Sequence, residues 1–138
     1  MYIAFGRTVV DTEEVISKIE KETHFKVLKD MSKGTRREDT TAYNLSISVD
    51  VLNQILEDSF DDIDSLTEDE LFNEYMDLAE ELGSYLAELF DDEGIFDCKA
   101  YKWDRSDNDI RLVIAVIHED LGEGKLMDIM KRLLKQVE

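Results

Sequence analysis

The chain has 138 residues, 43% apolar and 36% charged, with 34 Asp and Glu against 16 Lys and Arg for a formal net charge of −18. That length and apolar content suit one globular domain spanning residues 1–138 and exclude a disordered acidic tail. The charge excludes direct binding to nucleic acid and to anionic membranes, because both would repel the chain.

Tyr2–Val10 predicts a strand, being β-branched and aromatic without a helical period. Asp11 and Glu14 have capping-box spacing and open a helix to about Glu22, with Val15, Ile16 and Ile19 on its apolar side. His24–Met31 predicts a second strand, and Ser32–Thr40 a polar loop. Thr41–Val49 alternates Tyr43, Leu45, Ile47 and Val49 with Asn44, Ser46 and Ser48, the pattern of a strand wet on one face. Val51, Leu52, Ile55 and Leu56 then mark a short helix to about Phe60, followed by an acidic turn over Asp61–Ser65. Thr67 and Glu70 form another capping-box pattern. It opens a long helix over 67–90, about 36 Å in length. Gly94 helps to close it. Phe96–Trp103 and Ile110–His118 predict a hairpin turning at Asp104–Asp109. Leu112–Ile117 is apolar at every position, which predicts a central strand. Glu123–Val137 closes the chain as an amphipathic helix, with Leu126, Ile129, Met130, Leu133 and Val137 inward.

The order β-α-β-β-α-α-β-β-α predicts an α+β fold. Its antiparallel sheet would have four or five strands with helices packed on it, the first strand pairing edgewise with the later hairpins. No proline or Gly/Ser linker divides the chain. Cys98 is the only cysteine, so no internal disulfide framework exists. Met1–Val10 lacks the pattern of a signal peptide, and the longest apolar run falls far short of the ~20 residues that span a bilayer. A soluble, cytoplasmic protein is the expectation.

The charge is segregated. Residues 50–97 hold 18 Asp and Glu and no Lys, Arg or His, while the segments on either side are each balanced at eight acids and eight bases. On a helical wheel, Glu70, Glu74, Asp77, Glu81 and Glu88 form one outward line on the long helix. Asp61, Asp62 and Asp64 extend the charge before it, and Asp91 and Asp92 extend it beyond. Like charges at i,i+4 destabilise a helix by about 0.2–0.5 kcal/mol each, and carboxylates at a helix C-terminus oppose its dipole. Local frustration of this kind points to a functional surface. The plainer reading is the polar outside that any amphipathic helix needs.

Rival constellations are weaker. An EF-hand register from Asp62 puts Leu66 at position 5, Thr67 at position 6 and Asn73 at position 12, so it fails. His118 and Asp120 share a strand end, and two ligands do not make a metal site. Cys98 reads as a small buried hydrophobe. Tyr101 and Trp103, alternating with Lys99 and Arg105, read as core or as an interface anchor. The bases Lys26, Lys29, Lys33, Arg36 and Arg37 could meet the acidic helix of a second copy, giving a homodimer, or be plain solvated charge. No cofactor motif is present: Gly122 and Gly124 lack the remaining residues of a phosphate loop.

The sequence therefore leads to a non-catalytic acidic binding protein. Its carboxylates would imitate nucleic-acid phosphates and block a basic nucleic-acid-binding protein or nuclease. Anti-CRISPR or anti-restriction proteins of phage and nuclease immunity proteins fit that chemistry. A regulatory interaction module with an apolar contact surface is the alternative, its acidity serving solubility alone. A small enzyme with a site assembled from distant residues, such as His118, Cys98 or Tyr43, is the second.

Overall fold

A strand that is apolar at every position cannot leave either face wet. Leu112–Ile117 imposes that condition, and the architecture answers it. The computed structural model describes residues 1–37, 39–59 and 63–137. The chain runs through β1 (Tyr2–Phe5), β2 (Thr8–Asp11), α1 (Thr12–Glu22), β3 (Lys26–Asp30), β4 (Thr40–Ser48), α2 (Val49–Ser59), α3 (Glu68–Ser84), β5 (Gly94–Asp104), β6 (Asp109–His118) and α4 (Glu123–Val137). The main sheet is antiparallel, in the order β3-β4-β6-β5. It is an α+β fold, as the sequence indicates.

Helices cover both faces of the sheet. Ile110, Leu112 and Ile114 of β6 join Tyr43, Leu45 and Ile47 of β4 beneath α1, α2 and α3. Val113, Ala115 and Ile117 point the other way, against Met31, Ala42 and α4 through Leu126, Ile129, Met130 and Leu133. Each fully buried Leu or Ile side chain contributes roughly 1.5–3 kcal/mol. The inward residues expected for α4 are those that pack.

Five expectations are corrected. β4 is not wet on one face: Thr40, Ala42 and Ser46 are buried and Asn44 is half-buried, on the face that α4 covers. The first strand is a hairpin: β1 and β2 pair with each other and stand apart from the main sheet. Gly6 supplies the positive φ, 59°, that the two-residue turn needs at its first position. The acidic α-helix ends at Ser84 and tightens into a 3-10 turn over Tyr85–Leu89. Three residues per turn stack Leu86 and Leu89 inward and leave Tyr85 60% exposed. Gly94 opens β5 instead of closing the helix. A bulge between Ala100 and Lys102 breaks the alternation of β5. Tyr101 therefore packs on the α4 side and Trp103 on the other, so they share no face.

The Ser32–Thr40 segment is also more ordered than a plain polar loop. A 3-10 turn at Ser32–Thr35 is tied to α4, where Arg132 Nη1 donates to Thr35 O at 2.9 Å and Gln136 Nε2 donates to Gly34 O at 3.0 Å.

α3 packs chiefly on β5. Gly83 is buried there, and a Cβ at that position would lie 2.5 Å from Cys98 Sγ. Gly83→Ala should destabilise the fold by about 1–3 kcal/mol through overpacking. Removing the sulfur clears the space, so Gly83→Ala with Cys98→Ala should cost less than the two single changes summed. Urea unfolding of the four proteins measures this; strict additivity would show that the close approach carries no constraint.

Candidate acidic interface

The acidic helix begins with a capping box. Glu70 N donates to Thr67 Oγ1 at 3.2 Å, and Thr67 N donates to Glu70 Oε1 at 3.3 Å. Leu71, Tyr75, Met76, Leu78, Ala79 and Leu82 face the core. That leaves Glu70, Glu74, Asp77 and Glu81 along one outer line, at three- and four-residue spacing, about 5–6 Å between neighbouring Cβ atoms. Glu70, Asp77 and Glu81 are exposed and Glu74 is half-buried. Glu88 departs from the line, because the 3-10 turn rotates it; it rims a separate groove beside Glu22 and His24. Asp64 is exposed on the 3-10 turn Ile63–Ser65 that precedes the helix. Asp61 and Asp62 lie outside the described residues. Beyond the helix Asp92 is exposed, and the Asp91 carboxylate accepts from Glu93 N at 2.8 Å.

The molecule's own bases do little to neutralise this surface. Among the described residues, one Lys or Arg forms an ion pair with an acid of residues 50–97: Arg105, whose Nη2 lies 2.5 Å from Glu68 Oε1. Arg105 also stacks 3.6 Å above the Trp103 ring, which meets Tyr75 edge-on at 5.0 Å. The other concentrated bases form no ion pair with it among the described residues. Lys26 and Lys29 lie on β3, and Lys33, Arg36 and Arg37 on the β3–β4 connection. β3 and β5 are opposite edges of the sheet, and α3 packs chiefly on β5, while its C-terminal end shares a groove with His24 and Phe25 just before β3.

Two carboxylates join the acidic surface that the wheel did not place on its line. Glu80 and Asp97 line an open groove of about 440 Å³ between α3 and the free edge of β5, together with Asp77 and Glu81. Glu80 reaches across to the strand: Ala100 N donates to its Oε1 at 2.9 Å. Cys98 N donates to Asp97 Oδ1 at 2.8 Å. Pairing of β5 with a strand beyond it would have to displace both contacts. Sequence spacing could have flagged Glu80, which lies four residues before Ser84 on the helix side nearest Asp77 and Glu81. Asp97 becomes part of the groove only through the packing of α3 on β5.

Cys98 lines the same groove. Burial, then Glu80 and Asp97, push its thiol up to about 12. That is the opposite of an activated nucleophile, and it agrees with the reading of a small hydrophobe. Tyr43 is wholly buried in the core, where burial and the Asp30 carboxylate hold its phenol well above the ordinary value. Among the described residues, no group of three or more His, Cys, Asp or Glu is arranged to hold a metal ion. No described helix is long and apolar enough to cross a membrane. No known protein family matches the chain, and no curated protein or solved structure is significantly similar to it.

His118 is the other concentration of charge. It ends β6 and caps the 3-10 turn Glu119–Leu121, with Asp120 N donating to its Nδ1 at 3.2 Å. Its Nε2 lies 3.1 Å from Glu93 Oε2, and its ring meets Phe5 at 5.5 Å. The tip of the β1–β2 hairpin closes over it: Gly6 N donates to Asp39 Oδ1 at 3.2 Å, and a Cβ on Gly6 would lie 2.7 Å from His118 Nε2. The bond to Glu93 raises the imidazole pKa above 6.5, with Asp120 and Asp39 adding to it against the opposing effect of burial. A raised folded-state value means the native state holds the proton more tightly. The resulting stability is complete below pH 6.5 and is lost as pH rises through the folded-state value. The stability advantage of the wild type over His118→Asn should therefore shrink as pH rises above 6.5, read by urea unfolding across that range. A difference that grows with pH would reverse the sign of this coupling.

Proposed function

We propose that the chain is a non-catalytic acidic binding protein that presents helix-borne carboxylates in place of nucleic-acid phosphates and blocks a basic nucleic-acid-binding protein or nuclease. One observation carries the reading. Glu70, Glu74, Asp77 and Glu81 stand in a line on the outside of α3, and among the described residues no Lys or Arg of the molecule pairs with them. Glu80 and Asp97 thicken that surface beside β5. A rigid helix holds the carboxylates on a fixed backbone, so little backbone order remains to be lost on docking. Opposite charge on a partner would speed encounter and make association sensitive to salt.

The target class follows from the chemistry. A groove evolved for a polyanion carries Lys and Arg along its floor, and a carboxylate ridge meets it without base readout. CRISPR or restriction nucleases fit, as do nuclease toxins, which would make the chain a phage counter-defence protein or an immunity protein acting in the cytoplasm. The bases at the β3 edge favour one competing occupant, a second copy of this chain. Sedimentation at low salt separates that case, because self-pairing would yield dimers with no partner added.

The decisive comparison uses the wild type and the triple change Glu74→Lys, Asp77→Lys and Glu81→Lys. These substitutions make the pairs of residue 74 with Glu70 and of residue 77 with Glu80 attractive and leave the 74/77 and 77/81 pairs like-charged, so the helix should be about as stable as before. Both proteins are exposed to a native-host extract freed of nucleic acid, at low salt. Basic nucleic-acid-binding proteins should be retained by the wild type, displaced by added DNA, and bound about tenfold or more weakly by the triple variant. Affinity should fall steeply as salt is raised. Equal retention by both proteins, unaffected by salt, would overturn the proposal.

A further inference from the structure

Carboxylates alone make a poor lock. Exposed charge speeds association, while the lifetime of a complex comes mainly from a few desolvated anchors near its centre. The molecule has an apolar groove where such an anchor would fit, at the C-terminal end of α3. Phe25, Ile47, Leu82, Leu86 and Leu89 form its lining. Tyr85 stands at its edge, 60% exposed, although it is a large aromatic residue. The groove has a volume of about 330 Å³. Its exposed lining is mostly apolar, so it offers few polar groups to orient a polar small molecule.

Its rim carries two carboxylates, with His24 beside them. Glu22 and Glu88 flank the opening. Glu81 lies one helical turn before Tyr85, so the acidic line of α3 ends beside the groove's edge. The 3-10 turn that carries Glu88 off that line is the element that builds the groove wall.

We infer that this groove takes one aliphatic or aromatic side chain projecting from the basic surface of the partner, with Lys or Arg neighbours of that side chain meeting Glu22, Glu81 and Glu88. The inference rests on the acidic-interface reading and adds to it the specificity that charge alone does not provide. The partner surface is thus a cationic one interrupted by a single apolar knob, and a uniformly basic groove would be bound less well.

Two fluorescein-labelled peptides test it. They share the same Lys and Arg residues and differ at one central position, Phe in one and Ala in the other. Fluorescence anisotropy at low salt should show the wild type binding the Phe peptide about tenfold more tightly. Tyr85→Ala, an exposed change that spares the core, should remove that preference and keep the affinity for the Ala peptide. The triple charge reversal on α3 should weaken both peptides and preserve their ratio. Amide shifts in NMR spectra caused by Phe, and absent with Ala, should fall on Leu82, Tyr85, Leu86 and Leu89. Equal binding of both peptides by the wild type would remove the anchor and leave the acidic interface standing. A preference that survives in Tyr85→Ala, or shifts mapping elsewhere, would also overturn the assignment. Failure of the wild type to bind either peptide would overturn the anchor and the acidic interface together.

Discussion

The dryness of β6 governs the molecule. Its apolar residues alternate between two cores, so helices must lie on both faces of the sheet. α4 supplies one cover; α1, α2 and α3 supply the other. Once α3 is committed to covering β5 and β6, its outer side has to be polar. Physics asks only for polarity there. Lys and Glu interleaved would satisfy it and add attractive pairs along the helix. α3 carries carboxylates and no Lys or Arg, and that choice is the part core packing leaves unexplained.

Some of the acids do have structural work. Glu80 accepts from Ala100 N on the open edge of β5, and Asp97 accepts from Cys98 N along the same strand. On the opposite edge Glu20 of α1 accepts from Val27 N of β3 at 3.2 Å. Both edges therefore have backbone donors occupied by side-chain carboxylates, which discourages pairing with strands of other molecules. Glu70 completes a capping box, and Glu93 holds His118. Glu74, Asp77 and Glu81 have no such duty among the described contacts. The division separates acids that maintain the fold from acids left over for a partner.

Much of the fold was legible because its signals are local. The alternation of Tyr43, Leu45 and Ile47, the capping pair Thr67 and Glu70, and the apolar period of Glu123–Val137 each specify an element without help from distant residues. Where structure and sequence pattern part, the causes are equally local. Gly6-Arg7 was legible as a two-residue turn, yet the apolar residues on both sides resemble one continuous strand. The end of α3 was hidden, because the periods of an α-helix and a 3-10 turn differ too little over five residues to separate in Tyr85–Leu89. The bulge at Ala100 and Lys102 leaves no mark in composition. At the candidate interface, the four-residue line on α3 could be drawn from a wheel, whereas Asp97 and the apolar groove depend on which elements pack together.

The carboxylate line of α3 flanks β5 at one edge of the sheet, and five Lys and Arg residues lie on and after β3 at the other. Superimposed on its net charge, the molecule thus has an electric dipole running across its strands. In the field of a cationic partner such a dipole would rotate the molecule as well as attract it, turning α3 to the front before any atoms touch. Much of the orientational search that slows the docking of two specific patches is then finished in solution.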